Sequence, residues 1–221
     1  MKSEFIARVM QVMNELGWDD PGSDAFIGSN TTKVEKHIEA VFTDAWRKAV
    51  NLLPKTYFTV SDFSGQAISP DISKGTGYVV LPPDFHKLAS FKMKGWQKAA
   101  ETLYDSSGPV ASVQANEYTR GNICRPVCIK NSKGIKTGED GMEIPVVFKN
   151  VLEYYSLPKG YKHEVGEALY IPFMQPLSEG TVLSDELYVP LAYLCAGMVF
   201  HIFEKPETAK AMEAMAMECI N

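Results

Sequence analysis

Cys124 and Cys128 stand four residues apart, a spacing that could do chemistry. On an extended chain an even spacing sets both thiols on one face of a strand. A tetrahedral zinc site needs four ligands, however, and no second Cys or His pair lies nearby at ligand spacing. The sequence therefore predicts no metal site and reads these cysteines as core or half-buried thiols. Cys195 falls on the apolar face of a helical pattern and reads as packing.

The four histidines, His37, His86, His163 and His201, are scattered one per segment. No nucleophile elbow or other local signature joins one of them to a nucleophile. A small cytosolic hydrolase or transferase built on His163 or His86 with a cysteine is the enzymatic alternative, and it has no sequence motif to support it. The run "SKGIKTGEDG" (Ser132 to Gly141) has the glycines and lysines of a phosphate loop. It lacks the order G-x-x-x-x-G-K-[ST], and a strand pattern follows where a helix N-terminus would have to hold the phosphate. It reads as a hairpin tip. "KGTG" (Lys74 to Gly77) fails in the same way, and the acidic pairs Asp19-Asp20 and Glu139-Asp140 read as solvated turn residues. No cofactor is implied by any of these segments.

One polar run is left over. "QANEYTRGNICRP" (Gln114 to Pro126) places amide, acid, phenol and guanidinium groups in succession before a Gly-Asn break. Asn116, Glu117, Tyr118 and Arg120 are the candidate subunit-interface residues. Arg and Tyr are favoured at interfaces, and Arg suits bidentate contact with a carboxylate. The competing reading is that Glu117 and Arg120 stabilise their own fold.

The elements that position these residues follow from periodicity. Phe5, Ile6, Val9, Met10, Met13 and Leu16 recur at helical spacing until Gly17. "DDPGSDAFIGSNTT" (Asp19 to Thr32) reads as a turn-rich connection, after which Thr31 or Thr32 caps a second helix striped by Val34, Ile38, Val41, Phe42, Ala45 and Ala49 and stopped by Pro54. From Tyr57 the pattern changes to short strand-like runs: "GYVVLP", "LASFKMKGW", "RPVCIK", "PVVFK", "LEYYS" and, more weakly, "ALYIPF". Helices then resume. Ser184 or Asp185 caps one carrying Leu187, Leu191, Leu194, Met198 and Ile202, and "KPETAKAMEAMAMECI" forms the last, with proline in its first turn. Trp46, Tyr193 and Met198 are predicted to be core. The sequence thus predicts an α+β fold: an N-terminal helical part over 1–56, a β-rich middle over 57–180, and C-terminal helices over 181–221 that pack with the N-terminal ones.

Composition limits the function classes. A chain of 221 residues is long enough to bury a sizeable core, and 45% hydrophobic with 22% charged residues is the balance of a folded protein. The most apolar window, Leu187 to Phe203, is broken by Pro190 and His201, so no membrane span is expected. The N-terminus has charges spread through it rather than an apolar signal block, and four cysteines fit a reducing compartment with free thiols. A net charge of -5 disfavours a regulator that grips DNA, because such grip rests on clustered Lys and Arg.

The order of segments carries a resemblance. "LPPDFHKLASFKMKGW" (Leu81 to Trp96), "QANEYTRGNICRPV" (Gln114 to Val127), "LEYYS" (Leu152 to Ser156), "YIP" (Tyr170 to Pro172) and the closing helix "LSDELYVPLAYLCAGMVF" occur in that sequence. Together they resemble the head-to-tail adaptor, or connector ring, proteins of short-tailed bacteriophages, most closely those of crAss-like phages, over roughly residues 33 to 220. The N-terminal helix and the loop at Ser132 to Gly141 depart from that pattern. The resemblance implies a structural virion protein with no catalytic role. It would form a ring, usually of twelve copies, in the head-tail connector below the portal. It would bind the portal protein and further tail or ring proteins and be assembled in the cytoplasm of the bacterial host. Genomic DNA would pass through without specific binding, and an acidic ring suits that, since a basic lumen would retain the phosphates.

Overall fold

The computed structural model describes residues 2–15, 24–136, 146–158, 160–174 and 176–219. The fold is α+β, with N- and C-terminal helices flanking a strand-rich middle. The chain divides into two units: Met1–Thr59 with Met174–Asn221, and Val60–Phe173.

In the first unit, α1 (Lys2–Glu15) buries Phe5, Ile6, Val9, Val12 and Met13, while Met10 is half-buried at the margin of that face. The second helix, α2 (Asp24–Leu52), is longer than expected. Residues 24–32 continue the helix instead of forming a turn, and neither Thr31 nor Thr32 caps it. No proline lies between Asp24 and Pro54, and once a helix is nucleated each added residue is cheap, even through the weak formers Gly28 to Thr32. Its core stripe is Ile38, Phe42, Ala45, Trp46, Ala49 and Val50, with Val34 and Val41 half-buried. The expected turn residues 19–23 and the stop at Gly17 lie outside the described residues.

Helix α4 is buried almost all round, as expected for a helix at the centre of its unit. It spans Asp185–Ile202 and buries Leu187, Leu191 and Leu194 together with the run Ala192 to Gly197. Met198, expected in the core, is only half-buried and Ile202 is exposed, because the helix turns that face outward while Val199 and Phe200 beside it stay buried. Ser184 precedes the helix but does not cap it by its side chain; its hydroxyl donates to the Tyr57 carbonyl at 2.5 Å. Helix α5 (Pro206–Glu218) packs on α4 where Gly197 allows it, since a methyl group there would stand 3.2 Å from the Ala209 carbonyl oxygen. Lys48 and Glu213 pair across α2 and α5. Phe5 meets Phe42 and Tyr188 edge-on at 5.5 and 5.6 Å. Among the described residues no helix is long and apolar enough to cross a membrane.

The second unit holds two sheets around one core. The first has the order β1-β8-β4, from β1 (Ser61–Asp62), β4 (Phe85–Met93) and β8 (Val165–Pro172), all antiparallel. The strand expected to be weakest, around Ala168, is the central one here. The second has the order β2-β3-β7-β6-β5, from β2 (Ile68–Asp71), β3 (Thr76–Val80), β5 (Leu103–Asp105), β6 (Cys128–Lys136) and β7 (Val146–Tyr154). The runs "PVVFK" and "LEYYS", expected as two strands, form the single strand β7. Phe63, Phe91, Met93, Cys128, Leu152, Tyr154 and Tyr170 fill the space between the sheets.

Candidate interaction surface

The pair β5 and β6 is parallel, with Leu103 opposite Cys128. Parallel neighbours need a crossover connection, whereas antiparallel ones need only a turn. The polar run Gln114 to Pro126 is the return leg of that crossover, and the outgoing leg is a short helix, α3 (Pro109–Gln114), that the sequence did not announce.

A connection without regular structure must still satisfy its backbone groups. Gln114 is 4% exposed; its amide nitrogen donates to the Val110 carbonyl at 3.0 Å and its amide oxygen accepts from Gly121 N at 2.9 Å. The Asn116 side chain accepts from Tyr118 N at 2.9 Å, and its carbonyl accepts from Thr119 N and Arg120 N. Thr119 Oγ1 donates to the Val113 carbonyl at 3.1 Å. Asn122 Oδ1 accepts from Cys124 N and Arg125 N at 2.9 and 3.0 Å. These bonds fix the loop and leave Tyr118 at its tip, 96% exposed.

The four candidate residues therefore divide. Asn116 shapes the loop. Arg120 returns to its own chain: its side chain is only 14% exposed, Nη2 donates to the Lys74 carbonyl at 2.9 Å, and Glu117 lies 3.8 Å away. Glu117 is largely exposed and Tyr118 wholly so.

The far wall of the loop is held by strained backbone. Ser156 adopts φ 74°, uncommon outside glycine, and its hydroxyl donates to the Gly121 carbonyl. Leu157 N donates to the Gly75 carbonyl at 3.0 Å, and Gly75 has φ 63° with its Cα so near the Leu157 carbonyl that an added Cβ would stand 2.0 Å from that oxygen. Between the two walls lies an open cleft of about 520 Å³, lined by Glu117, Arg120, Ile123, Ser156, Leu157 and Pro158, among others.

A second cleft of about 320 Å³ lies over β2, β3 and β7. At its side Glu153 accepts from Lys133 at 2.6 Å, Tyr155 Oη at 2.9 Å and Asn131 Nδ2 at 3.3 Å. Burial alone would raise this carboxyl, but the three donors and the Lys133 charge together hold it below the usual range. Lys133 Nζ also sits 4.7 Å from the Tyr78 ring centre. Tyr154 Oη and His163 Nδ1 share a hydrogen bond at 2.6 Å; burial pushes the phenol up and lowers the imidazole, an effect that Asp71 partly opposes.

The two cysteines do not share a strand face. Cys124 lies in the turn closed by Asn122 and Arg125 and donates to Gln97 Oε1 at 3.0 Å, while β6 begins only at Cys128. The reason is the Asn122 side chain, which holds Cys124 and Arg125 in a turn and delays the strand. Cys128 and Cys195 are fully buried, and burial pushes both thiols up, away from the nucleophilic thiolate. Among the described residues no three His, Cys, Asp or Glu side chains group as metal ligands. Glu139-Asp140 and the tip of "SKGIKTGEDG" lie outside the described residues. Neither a protein-family model nor a curated protein matches this chain.

Proposed function

We propose that this chain is a structural virion protein that forms a ring in the head-tail connector of a short-tailed phage, joining portal to tail and leaving the genome a passage. The order of segments that resembles connector ring proteins is the starting point. The observation that carries the reading is Tyr118, wholly exposed at the tip of a loop fixed by its own chain. An aromatic side chain on a loop whose backbone is already fixed offers contact area without ordering the loop on docking, which is what an assembly contact needs. The acidic balance of the chain fits a conduit through which DNA slides.

The test is composition of the particle. A tagged copy supplied during infection is expected in purified virions at a fixed ratio to the portal protein, as a ring density between portal and tail. Tyr118→Ala is expected to fold normally and to be depleted from those particles. Absence of the wild-type chain from virions overturns the reading.

A further inference from the structure

Tyr154 is the last residue of β7 and lies in the core of the β-rich unit, its ring 6.4 Å from that of Phe91. A phenol at that depth needs a partner for its hydroxyl. Among the described residues His163 supplies it, with Nδ1 standing 2.6 Å from Tyr154 Oη. Gly77 of β3, opposite Tyr154 in the ladder, closes over the same oxygen, and a methyl group on Gly77 would overlap it.

His163 lies just before β8, and the stretch Tyr161 to Glu164 has two further holds. Glu164 pairs with Lys94 at 2.7 Å, and its carbonyl accepts from Lys94 N at 2.9 Å. The Tyr161 ring lies over Gly95, where a methyl group would stand 2.6 Å from Cδ1. Both holds are at the surface, since Tyr161 and the Lys94 side chain are more than half exposed. The bond to Tyr154 is the one that fastens this stretch to the core.

The protons of that bond follow from its surroundings. Burial pushes the Tyr154 phenol up, so it stays protonated and donates. Nδ1 must then be bare, which makes the imidazole neutral with its proton on Nε2. Acid adds a proton at Nδ1. Two donors then face each other, or the phenol turns away and leaves its own buried hydrogen unmatched. The charged groups facing the ring are Asp71 of β2, itself paired with Lys74 at 3.4 Å, and the flanking Lys162 and Glu164, the latter held by Lys94. Burial outweighs Asp71, which favours the imidazolium, and holds the imidazole below its usual range.

We propose that His163 is an acid-operated latch: neutral, it fastens Tyr161 to Glu164 over Tyr154, and protonated, it lets that stretch lift and opens the cleft over β2, β3 and β7 that Tyr154 helps to line. Once lifted, the imidazole titrates as a free one, at about 6.5, and the latched one titrates lower. The lifted state therefore binds the proton more readily. Acid favours it by up to about tenfold per pH unit between those two values, and above the free value the latch holds fully. The device lies within the β-rich unit and does not depend on the ring reading.

The experiment is NMR of the full chain from mildly alkaline to mildly acid pH, with amide hydrogen exchange corrected for its intrinsic pH dependence. The His163 ring signal, identified by its loss in His163→Gln, is expected to titrate below the free value in wild type and higher in Tyr154→Phe, which keeps the ring and deletes the hydroxyl. Exchange at residues 161–164 is expected to quicken in wild type as pH falls, while β4 and β8 keep their protection. It should stay flat in His163→Gln, whose amide oxygen accepts from the phenol without titrating. Equal His163 midpoints in wild type and Tyr154→Phe overturn the proposal. So does wild-type exchange that ignores pH, a His163→Gln chain that quickens as wild type does, or exchange that quickens equally throughout β4 and β8. If Tyr154→Phe does not fold, the comparison of wild type with His163→Gln decides alone.

Discussion

Arg120 and Lys74 are 46 residues apart, yet the guanidinium of one donates to the backbone carbonyl of the other at 2.9 Å. That bond ties the crossover loop to the turn between β2 and β3, the same turn whose Gly75 accepts from Leu157.

Arg120→Ala is therefore expected to lower the stability of the single chain by about 1.5 to 3 kcal/mol, the range for a hydrogen bond to a charged group. Urea unfolding at neutral pH measures it. The folded fraction should associate as wild type does, because the side chain serves its own subunit. Unchanged unfolding together with lost association would reverse that assignment.

Gly75→Ala places a methyl group on the Leu157 carbonyl in a conformation that L residues avoid. Backbone strain of this kind alone costs roughly 1 to 3 kcal/mol, and the clash adds to it. A melting temperature equal to wild type would show that the turn relaxes freely.

Trp46 is buried, with its ring 5.1 Å from that of Phe58. Trp46→Ala should cost about 3 to 5 kcal/mol. A calorimetric scan checks it, and the loss should appear with no change in the exposure of Tyr118.

Glu153 gives a pH dependence of defined sign. Its folded carboxyl titrates below the ordinary glutamate value of about 4.3. The unfolded chain thus binds the proton more readily, and the stabilisation is fully present above that value. It is lost as pH falls through the lower, folded value. Urea midpoints measured from neutral pH down to acid should show wild type losing its advantage over Glu153→Gln in that window. A constant difference across the series would mean the contact is not ionic.

Much of the architecture was legible because the signals were local. The helical stripe from Phe5 to Met13, the proline opening α5 and the β-branched run in β3 each specify an element from a few neighbouring residues. Strands β1, β2 and β5 were not, because two to four residues carry too little pattern, and α3 was missed because one turn and a half of helix has no periodicity to read. The start of α2 was misread because Gly28, Ser29 and Asn30 look like a turn, while the long helix behind them decides otherwise. In the candidate surface, Tyr118 stood out by type alone. What Arg120 binds depends on a turn 46 residues away, which is not written in its own neighbourhood.

The first unit is discontinuous, built from Met1–Thr59 and Met174–Asn221 around a contiguous second unit. On the ribosome α1 and α2 emerge well before α4, yet each leans chiefly on α4. Residues 60–173 can close their core while the two leading helices still hold Phe5, Phe42 and Trp46 uncovered. A chain cut near residue 174 would hold a finished β region and two helices whose apolar faces lack α4, so residues 174–221 decide whether the helical unit closes.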